Sequence, residues 1–298
     1  MAVMQGETTR IVLAGKEPRR SRMPKTSGGW VTLVFKALAG AVFVLAALFP
    51  LAWMVIAGFK SKTEVIQTPF QFFPEVWKWQ NYAQIISDPT FATTMGWTFL
   101  GAVLFTVLSL TVNSFAAYAF ARLDFRFKRT MWVIVITTMF IPGMTILLTS
   151  FIVVTRLSML DTLAVLVIPG AASAASVFFI RQFYLNIPAS LEEAAMLDGC
   201  GRFGIFWRIF LPLSKPPFVV MGITAFLAYW NSYVWPIMTI TTPERFVVQQ
   251  YLATFRSERS TELGLLMAGS VLAAAPVVIL FLIFQRQIIG NIKMAGLK

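Results

Sequence analysis

The chain has 298 residues, 57% of them hydrophobic and only 13% charged, with a mean hydropathy of +0.73 and a formal net charge of +12. Soluble domains carry about a quarter charged residues, so this composition excludes an ordinary water-soluble globule and indicates a polytopic membrane protein. One cysteine, Cys200, excludes an intrachain disulfide and a cysteine-based metal cluster, and the absence of histidine removes the commonest general base and metal ligand.

In chain order, residues 1–29 form a polar, basic tail with Arg10, Lys16, Arg19, Arg20, Arg22 and Lys25, expected to be disordered at its start. The apolar run that follows, Trp30–Phe59, is far too long for a signal-peptide core and lacks a small-residue cleavage site, so it reads as a first span. Crossing a bilayer core takes roughly 20 apolar residues as helix. Further segments of that kind lie near Thr94–Ala121, Met131–Thr155, Thr162–Tyr184, Pro217–Ile240 and Leu263–Gln285, which makes six. The third and fourth are separated only by RLSMLD (156–161), a tight hairpin, and Pro142-Gly143 and Pro169-Gly170 are candidate helix breaks.

The charges sort by side. Segments 1–29, 122–130, 185–216 and 286–298 hold the excess Lys and Arg, including Arg122, Arg126, Lys128, Arg129, Arg202 and Arg208. Basic residues on the other side, such as Lys60, Lys62, Arg156 and Arg245, are matched by acids. The positive-inside rule then sets both termini in the cytoplasm and accounts for the net charge without nucleic acid. Trp30, Trp53, Trp77, Trp79, Trp132, Trp207 and Trp235 fall near span ends, as an interfacial belt requires.

The loop of residues 190–216, SLEEAAMLDGCGRFGIFWRIFLPLSKP, is too elaborate for a plain connection. Ser190 and Glu193 have capping-box spacing behind Pro188, predicting a helix from Leu191. Asp198-Gly199 supplies a stop. A second helix is predicted from Arg202 to Phe210, ending before Pro212, with Phe203, Phe206, Trp207 and Phe210 on one apolar face and Arg202 and Arg208 away from it. The residues alone leave two readings open: an interfacial hairpin joining spans, or a docking element offered to a cytoplasmic partner.

Glu193-Ala194-Ala195, three residues, Gly199, nine residues, then Ile209, Leu211 and Pro212 resembles the EAA motif of bacterial ABC importer permeases. AYAFARLDF (117–125), RLSMLDT, AYWNSYVWP (228–236) and the last span look like the carbohydrate-uptake branch, of the maltose-permease second-subunit type. The resemblance covers residue 30 to the C-terminus. It implies an all-α polytopic membrane protein with six transmembrane helices in the type I importer architecture, in a bacterial inner membrane. The domains implied are a cytoplasmic tail (1–29), a permease domain (30–287) and a cytoplasmic C-terminal tail (288–298). Glu193, Ala194, Ala195, Asp198 and Gly199 would dock on an ATPase, and Ile209, Leu211 and Pro212 would set the following turn.

The chain has no G-x-x-x-x-G-K-[ST] phosphate loop, so ATP and Mg would bind the partner and this chain no cofactor or metal. The implied partners are a homologous second permease subunit, two ATP-binding cassette ATPase subunits and an extracytoplasmic solute-binding protein. FQFFPEVWKWQNY (70–82) is open between a docking surface for that protein and aromatics resting on the bilayer. IIGNIKMAGLK (288–298) is open between an ATPase contact and a solvated tail.

Polar residues inside spans are costly enough to suggest a role. Asn113, Tyr118, Trp230, Asn231 and Tyr233 are candidates for the substrate path, with helix packing the competing role; Ser173 and Ser176 favour packing. A neutral-solute secondary transporter is the alternative function, but it would be expected to show intramembrane ionisable groups, which the spans lack.

Overall fold

The computed structural model describes residues 27–256 and 262–295, with side chains described for residues 30–256 and 262–285. Of the predicted tails, residues 1–26 and 296–298 lie outside the described residues, while 27–29 open the first helix and 288–295 continue the last one rather than forming a separate tail. The chain divides into two compact units, one reaching Ala52 and one from Trp53 onward. The first consists, among the described residues, of the bulk of α1 (Ser27–Ala57).

In the second unit, α2 (Lys62–Val65) and α3 (Gln80–Ser87) precede the long α4 (Pro89–Arg122). Then come α5 (Lys128–Thr138), α6 (Leu147–Arg156), α7 (Leu163–Val167) and α8 (Ala174–Leu185). The loop region holds α9 (Ala189–Leu197), α10 (Arg202–Ile205) and α11 (Leu211–Leu213). It is followed by α12 (Lys215–Trp230), α13 (Val234–Thr239), α14 (Val248–Thr254) and α15 (Leu263–Ala295).

Three described helices, α1, α4 and α15, are long and apolar enough to cross a membrane. Two further pairs pass that test only jointly: residues 128–156, bent by 97°, and residues 202–230, bent by 79°. The third and fourth predicted spans are thus not continuous helices. α5 stops at Thr138, and the chain re-forms a 3-10 turn at Gly143 only after Pro142, which has no N–H to extend a helix. α7 and α8 are separated at Pro169-Gly170, where Gly170 takes φ +87°, a left-handed conformation that suits glycine. The fifth predicted span begins at Lys215 and is interrupted at residues 231–233.

α4 is the central strut, packed mainly on α8 and α12. Its buried positions are largely small or polar: Thr94, Thr98, Gly101, Ala102, Ser109, Asn113, Ser114 and Ala117. Between membrane helices such residues let backbones approach closely, because lipid offers large apolar side chains an environment as good as a core. Gly101 shows how close: a Cβ there would lie 1.9 Å from the Tyr229 hydroxyl. The buried apolar residues fall into two clusters, one around Trp230, Tyr229 and Val248, the other around Tyr118, Tyr184, Phe206 and Phe210.

Two acids tie connections near the start of α4. At its start Asp88 caps the helix through the Thr90 N–H (2.8 Å) and accepts from the Tyr251 hydroxyl (2.6 Å). On the 156–161 hairpin, Asp161 accepts from the Thr241 N–H (2.7 Å), the Thr241 hydroxyl (2.7 Å) and the Thr242 N–H (2.9 Å). These bonds hold its carboxyl well below the usual range, at about 2.

Candidate functional site

α9 does not start as the sequence predicts. Its first residue is Ala189, Pro188 stands at the cap with no side-chain hydrogen bond, and Ser190 lies within the helix. The S-x-x-E spacing is satisfied by sequence but not by geometry, because Pro188 already turns the chain and the helix begins too early for Ser190 to cap it. A capping box of that form does occur at Ser61–Glu64.

The helix ends as predicted. Gly199 takes φ +80°, its N–H bonds to Met196 O (3.0 Å), and the Cys200 N–H bonds to Ala195 O (2.9 Å). That pair of bonds is a Schellman motif, which a left-handed glycine permits. Glu193, Ala194, Asp198 and Gly199 are exposed, and Leu197 is 90% exposed beside them. Ala195 is half-buried and packs with Cys200 on the aromatic cluster behind.

The second helix runs past the predicted stop. Residues 206–210 form a π turn, in which the Leu211 N–H bonds to Phe206 O, and the helix continues through Pro212 to Leu213. Proline has no N–H to offer Arg208 O, so a widened turn just ahead of it accommodates the missing bond. The wider turn also splits the predicted aromatic face. Phe206 and Phe210 are buried, while Phe203 and Trp207 are 66% and 46% exposed. Ile209 and Leu211 are half-buried on the same cluster, and Pro212 is exposed.

The surface is fixed from behind by a group the motif does not contain. Glu192, not Glu193, is the buried acid. The Arg202 guanidinium donates to one of its oxygens, and Arg122 Nε stands 4.0 Å from the other. Arg122, at the end of α4, also donates to Tyr184 O (2.7 Å) and to Ile187 O, and lies over the Phe210 ring at 5.2 Å. The Tyr118 hydroxyl donates to Arg202 O (3.2 Å). A buried acid beside two arginines could be suspected from the adjacent Glu192-Glu193 pair, but its partner Arg122 is distant in the chain and carries no spacing signal.

The proposed path residues are not brought together. Asn113 is buried, donates to Ala171 O (2.9 Å) and accepts from the Ser173 N–H (2.8 Å), so it pins α4 to the break before α8. Ser173 caps α8 by accepting from the Ser176 N–H, a role within one helix and distinct from the packing between helices expected of that pair. Tyr118 belongs to the loop cluster. Trp230 is buried, donates to Ala273 O (3.2 Å) and stacks on Phe226. Asn231 and Tyr233 are exposed where α12 breaks, and Tyr233 lines a cavity of about 510 Å³ with Gln249, Arg256 and Ser270. In the 70–82 segment, Asn81 donates to Gly58 O (2.9 Å) and Lys60 O (3.0 Å), while Phe70, Phe73 and Trp79 stay exposed.

Residues 113–293 match the family described as "Binding-protein-dependent transport system inner membrane component". The chain is 31% identical over 265 residues to the arabinooligosaccharides transport system permease protein AraQ of Halalkalibacterium halodurans, covering 87% of this chain and 94% of that one. It is 32% identical over 273 residues to AraQ of Bacillus subtilis (strain 168), covering 90% and 95%. Among solved structures, a bacterial ABC transporter involved in the import of the acidic polysaccharide alginate contains a chain with the same fold. That comparison has a TM-score of 0.76 at 24% identity, over 88% of this chain and 98% of that one.

Proposed function

The chain belongs to the binding-protein-dependent transport inner membrane component family, and on that footing we propose that it is one permease subunit of an ATP-driven importer of a sugar, oligosaccharide or polyol. It is a transport component of an inner-membrane complex. A second, homologous permease completes the translocation path, two ATPase subunits bind ATP and Mg, and an extracytoplasmic binding protein delivers the solute. The chain crosses the membrane six times, with the interrupted segments 128–156, 163–185 and 215–239 supplying three crossings and both termini in the cytoplasm. The sugar class is supported by the two arabinooligosaccharide permeases, which the chain matches over nearly their whole length.

One observation carries the coupling role: a short helix, ended by a left-handed Gly199, exposes Glu193, Ala194, Asp198 and Leu197 on a rigid aromatic base. Ala194 is small enough for close approach and Glu193 offers a charge. Ile209, Leu211 and Pro212 hold the turn that leads into α12. Asn231 and Tyr233, exposed at the break in α12, keep the substrate-path role; Asn113 and Trp230 support the helix packing, and Tyr118 supports the coupling loop. The test is co-purification with its cognate ATPase, second permease and binding protein. Glu193→Arg is expected to release the ATPase while the two permeases stay together. Retention of the ATPase by that variant would contradict the docking face.

A further inference from the structure

Glu192 is nine-tenths buried, yet it belongs to the loop that the proposed docking face sits on. Its carboxylate faces two guanidinium groups from different places: Arg202 follows the Gly199 turn, and Arg122 closes α4. Their side chains differ in exposure, 53% for Arg202 and 13% for Arg122. Arg122 in turn holds the backbone carbonyls of Tyr184 and Ile187, the entry to α9. The entry, the helix, its exit and the end of the central strut thus meet on one carboxylate. Arg122 Nε is buried without a hydrogen-bond partner among the described residues, 4.0 Å from Glu192, so a small movement of α9 toward α4 would close that bond.

We propose that Glu192, clamped between Arg122 and Arg202, is the positioning residue that makes α9 and the end of α4 one lever, so that displacement of α9 is passed to α4 rather than absorbed in the loop. This rests on the coupling role proposed above, but it assigns a task to the acid that does not face the partner. An unclamped loop would still dock through Glu193 and Gly199. Docked and unclamped, it would follow the ATPase without moving the strut. Removing one member of a buried ion pair leaves the other charge uncompensated, which favours local opening.

The test is hydrogen exchange in the complex with its ATPase subunits and second permease, nucleotide-free and trapped with ATP and vanadate. In the wild type, trapping is expected to alter exchange in residues 189–199 and also in 113–122. In Glu192→Gln, nucleotide-free exchange in 189–199 is expected to rise about tenfold or more. The trapped-state change at 113–122 should disappear while the ATPase stays bound, and Glu192→Asp should restore part of it. Arg122→Gln, which removes the guanidinium at the end of α4 and leaves the Arg202–Glu192 pair in place, decides the matter if Glu192→Gln does not insert. An unchanged relay to 113–122 in both variants overturns the lever, as does loss of ATPase binding, which would place Glu192 on the docking face. A wild-type chain that binds no ATPase overturns the coupling role instead, and the clamp is then judged on nucleotide-free exchange in 189–199 alone.

Discussion

Asn113 shows what a polar residue inside a span does in this molecule. Hydrogen bonds between membrane helices average only about 0.6 kcal/mol, but Asn113→Leu also strands the half-buried Ser173 N–H donor and the buried Ala171 carbonyl, which costs about 1–3 kcal/mol. The stranded groups outweigh the lost bond, so thermal stability in detergent should fall; an unchanged midpoint would show that Asn113 is not needed for packing. Gly101→Ala is expected to be worse tolerated, since Tyr229 is buried and Cζ of its ring would lie 2.4 Å from the new methyl. Tyr229→Phe should therefore fail to rescue it, as read by folded yield. Asp161 gives a pH-dependent contact. Its carboxyl is depressed from 3.8 to about 2, so its contribution is fully present above the ordinary carboxylate range and is lost as pH falls through about 2. Pepsin cleavage near residues 156–162 and 239–245 should rise as pH drops from about 4 toward 2, and Asp161→Asn should flatten that dependence.

At the scale of elements, the loop between α8 and α12 was the most legible part of the chain, for local reasons. A DG pair favours a left-handed stop at a helix end, and Gly199 takes it. Gly199→Val would place a β-branched residue in that conformation, at about 1–2 kcal/mol. Vanadate-sensitive ATPase activity of the complex should fall severalfold while membrane insertion is kept, and normal activity would mean the turn is dispensable. The capping box failed because Pro188 had already set the helix start, and the aromatic face failed because a π turn shifts the register midway. Neither competitor has a reliable three- or four-residue signature. The span interruptions at Pro142-Gly143 and Pro169-Gly170 were legible as dipeptides, but the 97° bend between α5 and α6 was not. The buried face of α4 was hidden for a different reason: its core positions are the small and polar ones, inverting the pattern that water-soluble helices teach.

At the scale of the whole molecule, the second unit gathers its connecting segments at two ends of α4. Residues 88, 161, 241–245 and 251 are linked near the start of α4, and 122, 184–192 and 202 at its far end. α4 spans roughly 50 Å at 1.5 Å per residue, enough to reach across a bilayer. The substrate path was not legible, because a polar residue in a span looks the same whether it binds a solute or a neighbouring helix, and only the partners of Asn113, Tyr118 and Trp230 distinguish them. In the proposed assembly, a path made by two permeases would also be half absent from either sequence. The most direct measurement is uptake of a radiolabelled neutral oligosaccharide into proteoliposomes holding the complete complex, with its binding protein outside. Uptake should require ATP within the compartment that contains the ATPase, stop with vanadate, and fall severalfold with Gly199→Val. Uptake that continues without ATP, driven by an ion gradient, would contradict the account.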